Sequence, residues 1–460
     1  MFKIILKREF LDQLISPKSL IVAMLCLILV PTTLILNHAN YQNAFREYDS
    51  SPKNAEDSTT IFRAPSALST FGIGLENALP KTVTFSKYQI DAQGTQAQNE
   101  ILSNINGKID FVAITSFLLG LFAIIYGATM ICSEKEQGML KLVFANPVKR
   151  STVIAAKFLA GISVLAIPLA MSYILGLLLL MLVGFPLFEA ENLSRILAIL
   201  ALSLLYLAAF FSLGLLISTQ TQRTSIALLA SFFVWIFLAF ILPKTSEPIA
   251  GLVRPIKSEE AMRANRAQVR NQIEKEKGRV LAPLMNKYFP QGQGKSNWPA
   301  YIKERGPIAR EYEEHLDEAL QKFDAQHEKE KNVRRLLSLN IARLSPASVY
   351  TQAALNFCHT GVADLDNFSR SLQTHYIQLY QTVFRYEFKD TFESEDGKSS
   401  RQMAGSSFPG GKIDNPKYRC RFLAFEETLR ATIPDIILLV LFNLIFFAGA
   451  YYSFTRYDVR

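Results

Sequence analysis

The stretch FVAITSFLLGLFAIIYGATMICSEKEQGMLKLVFANPVKR, residues 111–150, sets an uncharged apolar run, Phe111–Cys132, directly before a segment that opens on Glu134, Lys135 and Glu136 and closes on Lys149 and Arg150. As a helix rising 1.5 Å per residue, the apolar run is about 33 Å long, the thickness of a bilayer's hydrocarbon core. The segment after it is half apolar, contains Gly138 and is followed by another long apolar run. That order predicts a chain that crosses a membrane, lays a short piece along its face and enters again.

The rest of the chain fits that reading. Half of its 460 residues are apolar and its net charge is +9, a composition suited to an integral membrane protein with a sizeable soluble part. Uninterrupted apolar runs of bilayer length occur at 19–37, 111–132, 158–183, 196–217, 225–242 and 432–453. Six spans put both termini on one side. Lys and Arg in short segments mark that side as cytoplasmic: Lys3, Lys7, Arg8 and Lys18, then Lys135, Lys141, Lys149, Arg150 and Lys157, then Arg223, then Arg456 and Arg460. The opposite short loop, GFPLFEAENLS at 184–194, has two glutamates and no base. The first run follows a basic N-terminus but lacks a small-residue exit site, so it reads as a retained helix and not a removed leader.

The expected fold class is all-α, six spans with a large, mainly helical extracytoplasmic domain between spans five and six. The chain then divides into an interfacial segment 1–18, span 19–37, an outer loop 38–110, span 111–132, a cytoplasmic segment 133–157, spans 158–183, 196–217 and 225–242, an outer domain 243–431, span 432–453 and a tail 454–460. In the outer domain, Ile308, Tyr312, Leu316, Leu320 and Phe323 recur at helical spacing, as do Leu365, Phe368, Leu372, Tyr376, Leu379 and Val383. Ser345 and Pro346 read as a helix start and Thr360-Gly361 as a break. Long antiparallel helices follow from these stripes. Stretches such as EKEKNVRR at 328–335 mix both signs, as a solvated helix face does and a nucleic-acid patch does not. Residues 51–60 and 389–417 carry no helical pattern.

Signals for chemistry are weak. FPQGQGKS at 289–296 ends like a phosphate loop, but Phe289 stands where that motif needs its first glycine. His315, His327, His359 and His375 are scattered, without chelating spacing. No catalytic, cofactor-binding or metal-binding residue is assigned, and the chain is not read as an enzyme. Cys358 and Cys420 are the two cysteines on the outer side, which is oxidising in a bacterial envelope; they are the pair available for a disulfide, although their spacing does not demand one. Lys157 and Arg195 read as edge residues that snorkel, and Thr432, Pro434 and Asp435 as a helix start. With no site for coupling ions in the spans, work done by this membrane part has to be powered from another chain.

SEKEQGMLKLVFANPVKR resembles the cytoplasmic coupling segment of type-2 ABC transporter permeases, through Glu134, Lys135, Glu136, Gly138, Leu140, Leu142, Asn146, Pro147, Val148 and Arg150. MFKIILKREFLDQLISPKSL resembles the family's N-terminal elbow. RAPSALSTFGIGLENALPKTV at 63–83, LSPASVYTQAALNFCHTGVADLDNF at 344–368 and the C-terminal RYDVR resemble a branch with a large extracytoplasmic insertion before the last span, related to permeases linked with gliding motility and nitrous-oxide reductase maturation. The resemblance implies a multi-pass protein of the bacterial inner membrane, in the lipid bilayer, paired with a second permease copy or paralogue and served by cytoplasmic ABC ATPase subunits. ATP and Mg would be bound by those partners and none in this chain. The resemblance implies export, and the almost uncharged interior of spans two to five points to an apolar or amphipathic substrate. The same parts would also serve a complex that passes force to an envelope or periplasmic protein without moving a solute. No nucleic-acid partner is expected.

Overall fold

The computed structural model describes residues 2–50, 60–76, 79–86, 89–93, 109–145, 148–289, 298–379 and 421–456. Among them, six helices are long and apolar enough to cross a membrane: α2 (Pro17–Ser50), α3 (Phe111–Glu136), α5 (Arg150–Leu182), α6 (Ala190–Gln220), α7 (Thr224–Val253) and α12 (Phe425–Arg456). They correspond one for one to the six apolar runs. α1 (Phe2–Leu14) precedes them, and α4 (Met139–Ala145) lies between the second and third. The helices overrun the apolar runs because a helix does not stop where water begins. α2 continues to Ser50, α7 passes Pro243 and reaches Val253, and α12 begins at Phe425. Thr432, Pro434 and Asp435 therefore lie inside α12, and the expected helix start there is corrected to Phe425.

α3 packs closely on α6. A side chain at Gly127 would meet the backbone of Phe211 and Leu215, and one at Gly214 the backbone of Ile124 and Ala128. Two glycines thus let two backbones touch, which is how helices gain dispersion contact where no hydrophobic drive separates protein from lipid. Each of two spans contains a π-helical turn, Ile114–Leu119 in α3 and Phe237–Ile241 in α7. Such a turn disturbs the regular ladder of main-chain bonds. A hydroxyl from another element bonds a carbonyl at each: Tyr206 Oη donates to the Ser116 carbonyl at 2.5 Å, and Ser345 Oγ to the Leu238 carbonyl at 2.5 Å.

The second of those hydroxyls introduces α10 (Pro346–Phe357). Ser345 caps it as expected, accepting from the amides of Ala347 at 3.1 Å and Ser348 at 3.4 Å. Every residue of α10 except Thr351 is buried. Tyr350 stacks on Tyr206 with ring centroids 4.6 Å apart and shares a 2.9 Å hydrogen bond with Ser203 of α6. The helix ends at Phe357, His359 takes φ +58°, and α11 (Val362–Leu379) follows, so the break falls where Thr360-Gly361 indicates.

The stretch 63–76 docks on that turn. Ser66 Oγ donates to the Cys358 carbonyl at 3.1 Å, Thr360 Oγ1 to the Gly72 carbonyl at 2.8 Å, and the Leu75 amide to the Thr360 carbonyl at 2.9 Å. Asp110, the N-cap of α3, ties both to the bundle: its Oδ1 accepts from the Ala113 amide at 2.7 Å and its Oδ2 from the Ile73 amide at 2.8 Å. Burial pushes the Asp110 carboxyl up to about 6.

The all-α expectation is corrected by a small antiparallel sheet, β1 (Thr60–Phe62), β2 (Thr82–Ser86) and β3 (Gln89–Gln93), in the order β1-β2-β3. Thr60 pairs with Thr84, and Thr82 with Gln93. Val83 and Phe85, on one face of β2, pack with Ile61, Leu79, Phe368, Leu372 and Leu379. That cluster buries the stripe of α11. α8 (Glu259–Tyr288) and α9 (Trp298–Ala342) form a long antiparallel hairpin. Its register shows in the ion pairs Arg266–Asp324 at 3.3 Å, Lys277–Glu313 at 3.3 Å and Lys287–Glu304 at 3.0 Å. The mixed charges of these helices are a solvated, self-paired surface.

Candidate coupling site

α1, α4 and the C-terminal end of α12 gather at one end of the bundle, and there the charged residues of 133–150 fasten three helices. Lys157, on α5, is buried at 1% exposure. Its Nζ lies 2.5 Å from Glu134 Oε1 at the end of α3 and 2.9 Å from Glu9 Oε1 on α1. A buried ammonium requires such partners, and these come from two other elements. Lys157 is not a snorkelling edge residue.

Lys135 closes the end of α6. Its Nζ donates to the carbonyls of Thr219 at 2.6 Å, Ser218 at 3.2 Å and Thr221 at 3.2 Å, groups that a helix C-terminus leaves without partners. Glu136 opens α7, accepting from the Thr224 amide at 2.9 Å, where a carboxylate also favours the positive end of the helix dipole. Three consecutive charges thus bind α5, α6 and α7 in turn. The family resemblance of the segment singled these residues out, but not that each bonds a neighbouring helix.

Gly138 then turns the chain with φ +70°, and a side chain there would meet nothing within 4 Å. Its role is the left-handed turn between α3 and α4, where the chain bends without any close approach. In α4, Leu140 is 2% exposed and Phe144 packs on Phe454 with ring centroids 6.0 Å apart. Arg150 sits 5.5 Å over the Phe144 ring and donates to the Thr455 carbonyl at 2.7 Å, near the end of α12. The opposite face presents Met139 at 44% and Leu142 at 71% exposure, with Lys141 exposed between them. Asn146 and Pro147 lie outside the described residues.

The other end of the bundle carries a second set of buried charges that the sequence reading missed. Arg195, on α6, is fully buried and donates to Thr428 Oγ1 at 3.0 Å and the Leu423 carbonyl at 2.5 Å. It too is paired within the protein and does not snorkel. Arg343, just past α9, makes a two-pronged pair with Asp435 inside α12, Nε to Oδ1 at 2.6 Å and Nη2 to Oδ2 at 3.3 Å. An isolated base or acid in an apolar run was the available signal, since such a residue needs a partner. Cys358 is buried beside this region and burial pushes its thiol up; Cys420 lies outside the described residues. Among the described residues no cluster of His, Cys, Asp and Glu suited to a metal occurs.

A bundle of six helices long and apolar enough to cross a membrane, with a short, fastened, half-exposed helix at one end, is the architecture of a multi-pass membrane protein. Residues 3–459 match the model of the ABC-2 family transporter proteins, and the chain belongs to that family. It is accordingly a multi-pass permease of an ABC system, a class that works with ABC ATPase partners. A comparison with curated proteins returned no match.

Proposed function

We propose that this chain is the membrane subunit of an ATP-driven exporter in the bacterial inner membrane, acting beside a second permease copy or paralogue. The end bearing α1, α4 and both termini faces the cytoplasm, and residues 254–424 stand on the opposite side. The basic short segments at the first end support that orientation. A separate ATPase seats α4 in a groove, taking Met139 and Leu142 as apolar anchors and Lys141 for register. The observation that carries this reading is the division of α4 into an outward apolar face and a face pinned to the bundle. Closure of the ATPases would press on α4, and Glu134, Lys135, Glu136 and Arg150 would pass the displacement to α5, α6, α7 and α12.

The cargo is apolar or amphipathic, because the charges within the spans are engaged near their ends: Lys157 with glutamates, Arg195 and Asp435 with outer residues. Vesicles holding the permease and its ATPase should move a fluorescent lipid or hydrophobic peptide on ATP addition, and Leu142→Asp should abolish that movement. Movement of small hydrophilic solutes instead would refute the cargo class. Force transmission is the second reading, favoured by the rooting of the α9 end of the hairpin on a membrane helix through Arg343 and Asp435. ATP turnover that displaces the hairpin without transport would select it.

A further inference from the structure

The α8–α9 hairpin projects away from the bundle. Its α9 arm runs antiparallel along the outer part of α7, with Ser338 Oγ 3.4 Å from Ser246 Oγ and the Arg334 guanidinium against Gly251. α7 stops at Val253, whereas α9 continues from Arg334 back to Trp298, 36 residues (334 minus 298). At 1.5 Å per residue, the far end stands about 50 Å beyond the last turn of α7.

The surface changes character there. Along the sides, the hairpin carries ion pairs such as Arg266–Asp324 and Lys322–Glu318. At the tip, Phe289 meets Trp298 and Tyr301 edge-on, with ring centroids 4.7 and 5.3 Å apart. Tyr301 is buried within this cluster, but Trp298 remains 55% exposed, with exposed Met285 and Ile302 on the same two helix ends. Trp is the residue that most often anchors a protein interface. Among the described residues of the tip, 283–289 and 298–306, Lys287, Lys303 and Arg305 outnumber Glu304, which Lys287 and Tyr288 already engage. The surplus charge is positive.

We propose that the hairpin tip is a docking site for an acidic protein surface with an apolar pocket that receives Trp298. Its own bilayer is too distant to be the occupant. A second copy of the tip would set Lys303 and Arg305 against like charges. A protein partner satisfies both the indole and the surplus bases, and its binding falls as salt rises. This rests on the proposed placement of 254–424 outside the cytoplasm.

The test places a photoreactive benzophenone amino acid at Trp298 of the full-length chain in its native host, with Lys322 on the hairpin side as the control position. Irradiation should give an adduct with one acidic envelope protein from position 298 and none from 322. That protein, purified, should bind the permease in nanodiscs, at least tenfold more weakly after Trp298→Ala and, independently, after Lys303→Glu with Arg305→Glu. An adduct with a second copy or with lipid, no adduct, equal adducts from both positions, or affinity unchanged in both variants would overturn the proposal. Labelling of Trp298→Cys in intact cells by an impermeant maleimide separates the causes. Labelled but unlinked protein defeats the docking alone, and unlabelled protein defeats the placement and the docking with it.

Discussion

Lys157 Nζ and Glu134 Oε1 lie 2.5 Å apart, joining the second apolar helix to the third at the point where the chain leaves the bundle for α4. Glu9 adds a second carboxylate from α1 at 2.9 Å. Removing the ammonium with Lys157→Met strands both carboxylates, one of them with an oxygen already lacking a partner. Breaking a buried pair in this way costs about 3–5 kcal/mol. The melting temperature of the purified permease should fall clearly, and less for Glu9→Gln, which keeps the Lys157–Glu134 contact. Equal melting for wild type and Lys157→Met would mean the ammonium is solvated.

The α3–α6 contact makes a steric prediction. Gly214→Leu forces a side chain against the backbone of Ile124 and Ala128. Overpacking costs about 1–3 kcal/mol where atoms can shift, and here the obstacle is main chain. Yield and melting temperature should drop for Gly214→Leu and for Gly127→Leu, whereas Gly138→Ala should cost only the strain of its positive φ, about 1 kcal/mol. Gly138→Ala as damaging as Gly214→Leu would point to a hidden contact at the turn.

Features with local causes were legible in the sequence. Phe111–Cys132 declared its helix by length and apolarity, and Ser345-Pro346 declared a helix start because a cap bonds amides two and three residues on. Stripe residues Phe368, Leu372 and Leu379 are buried as their spacing requires. What stayed hidden depends on distant partners. Lys157 meets Glu9 from 148 positions away, and Arg195 meets Thr428 from 233, so each looked like an isolated edge charge. The sheet leaves little trace in the sequence because TVTFS alternates over five residues only, too short a run of period two to stand out.

Asp110 gives the docked stretch 63–76 a pH dependence. Its docked carboxyl is raised from 3.8 to about 6 by burial, so the docked form holds a proton that an undocked, solvated Asp110 releases near its ordinary value. Docking is then strongest below about pH 4, weakens as pH rises toward 6, and levels off above. Protease sensitivity of this stretch should rise from pH 4.5 to 7, and Asp110→Asn should flatten the change. Sensitivity that falls over the same range would reverse the sign and show the backbone amides outweighing burial.

Cys358 is buried with its carbonyl bonded by Ser66, and Phe422, two residues after Cys420 in the chain, sits with its ring 4.8 Å from that of His359. Cys358 is a free thiol, and Cys420 lies outside the described residues. Mass spectrometry of unreduced, unfolded protein should find Cys358 alkylated, as its free thiol requires; a peptide linking it to Cys420 would overturn that.

The ATPase contact is tested most directly by cysteine crosslinking between α4 and the ATPase in membranes. Leu142→Cys, on the exposed face, should link to a cysteine scanned along the ATPase groove, with a yield that changes when ATP is bound, while the buried Leu140→Cys should not link at all. Crosslinks from position 140 and none from 142, or no crosslink from any exposed residue of Met139–Ala145 although the two subunits co-purify, would contradict the assignment of α4 as the coupling helix.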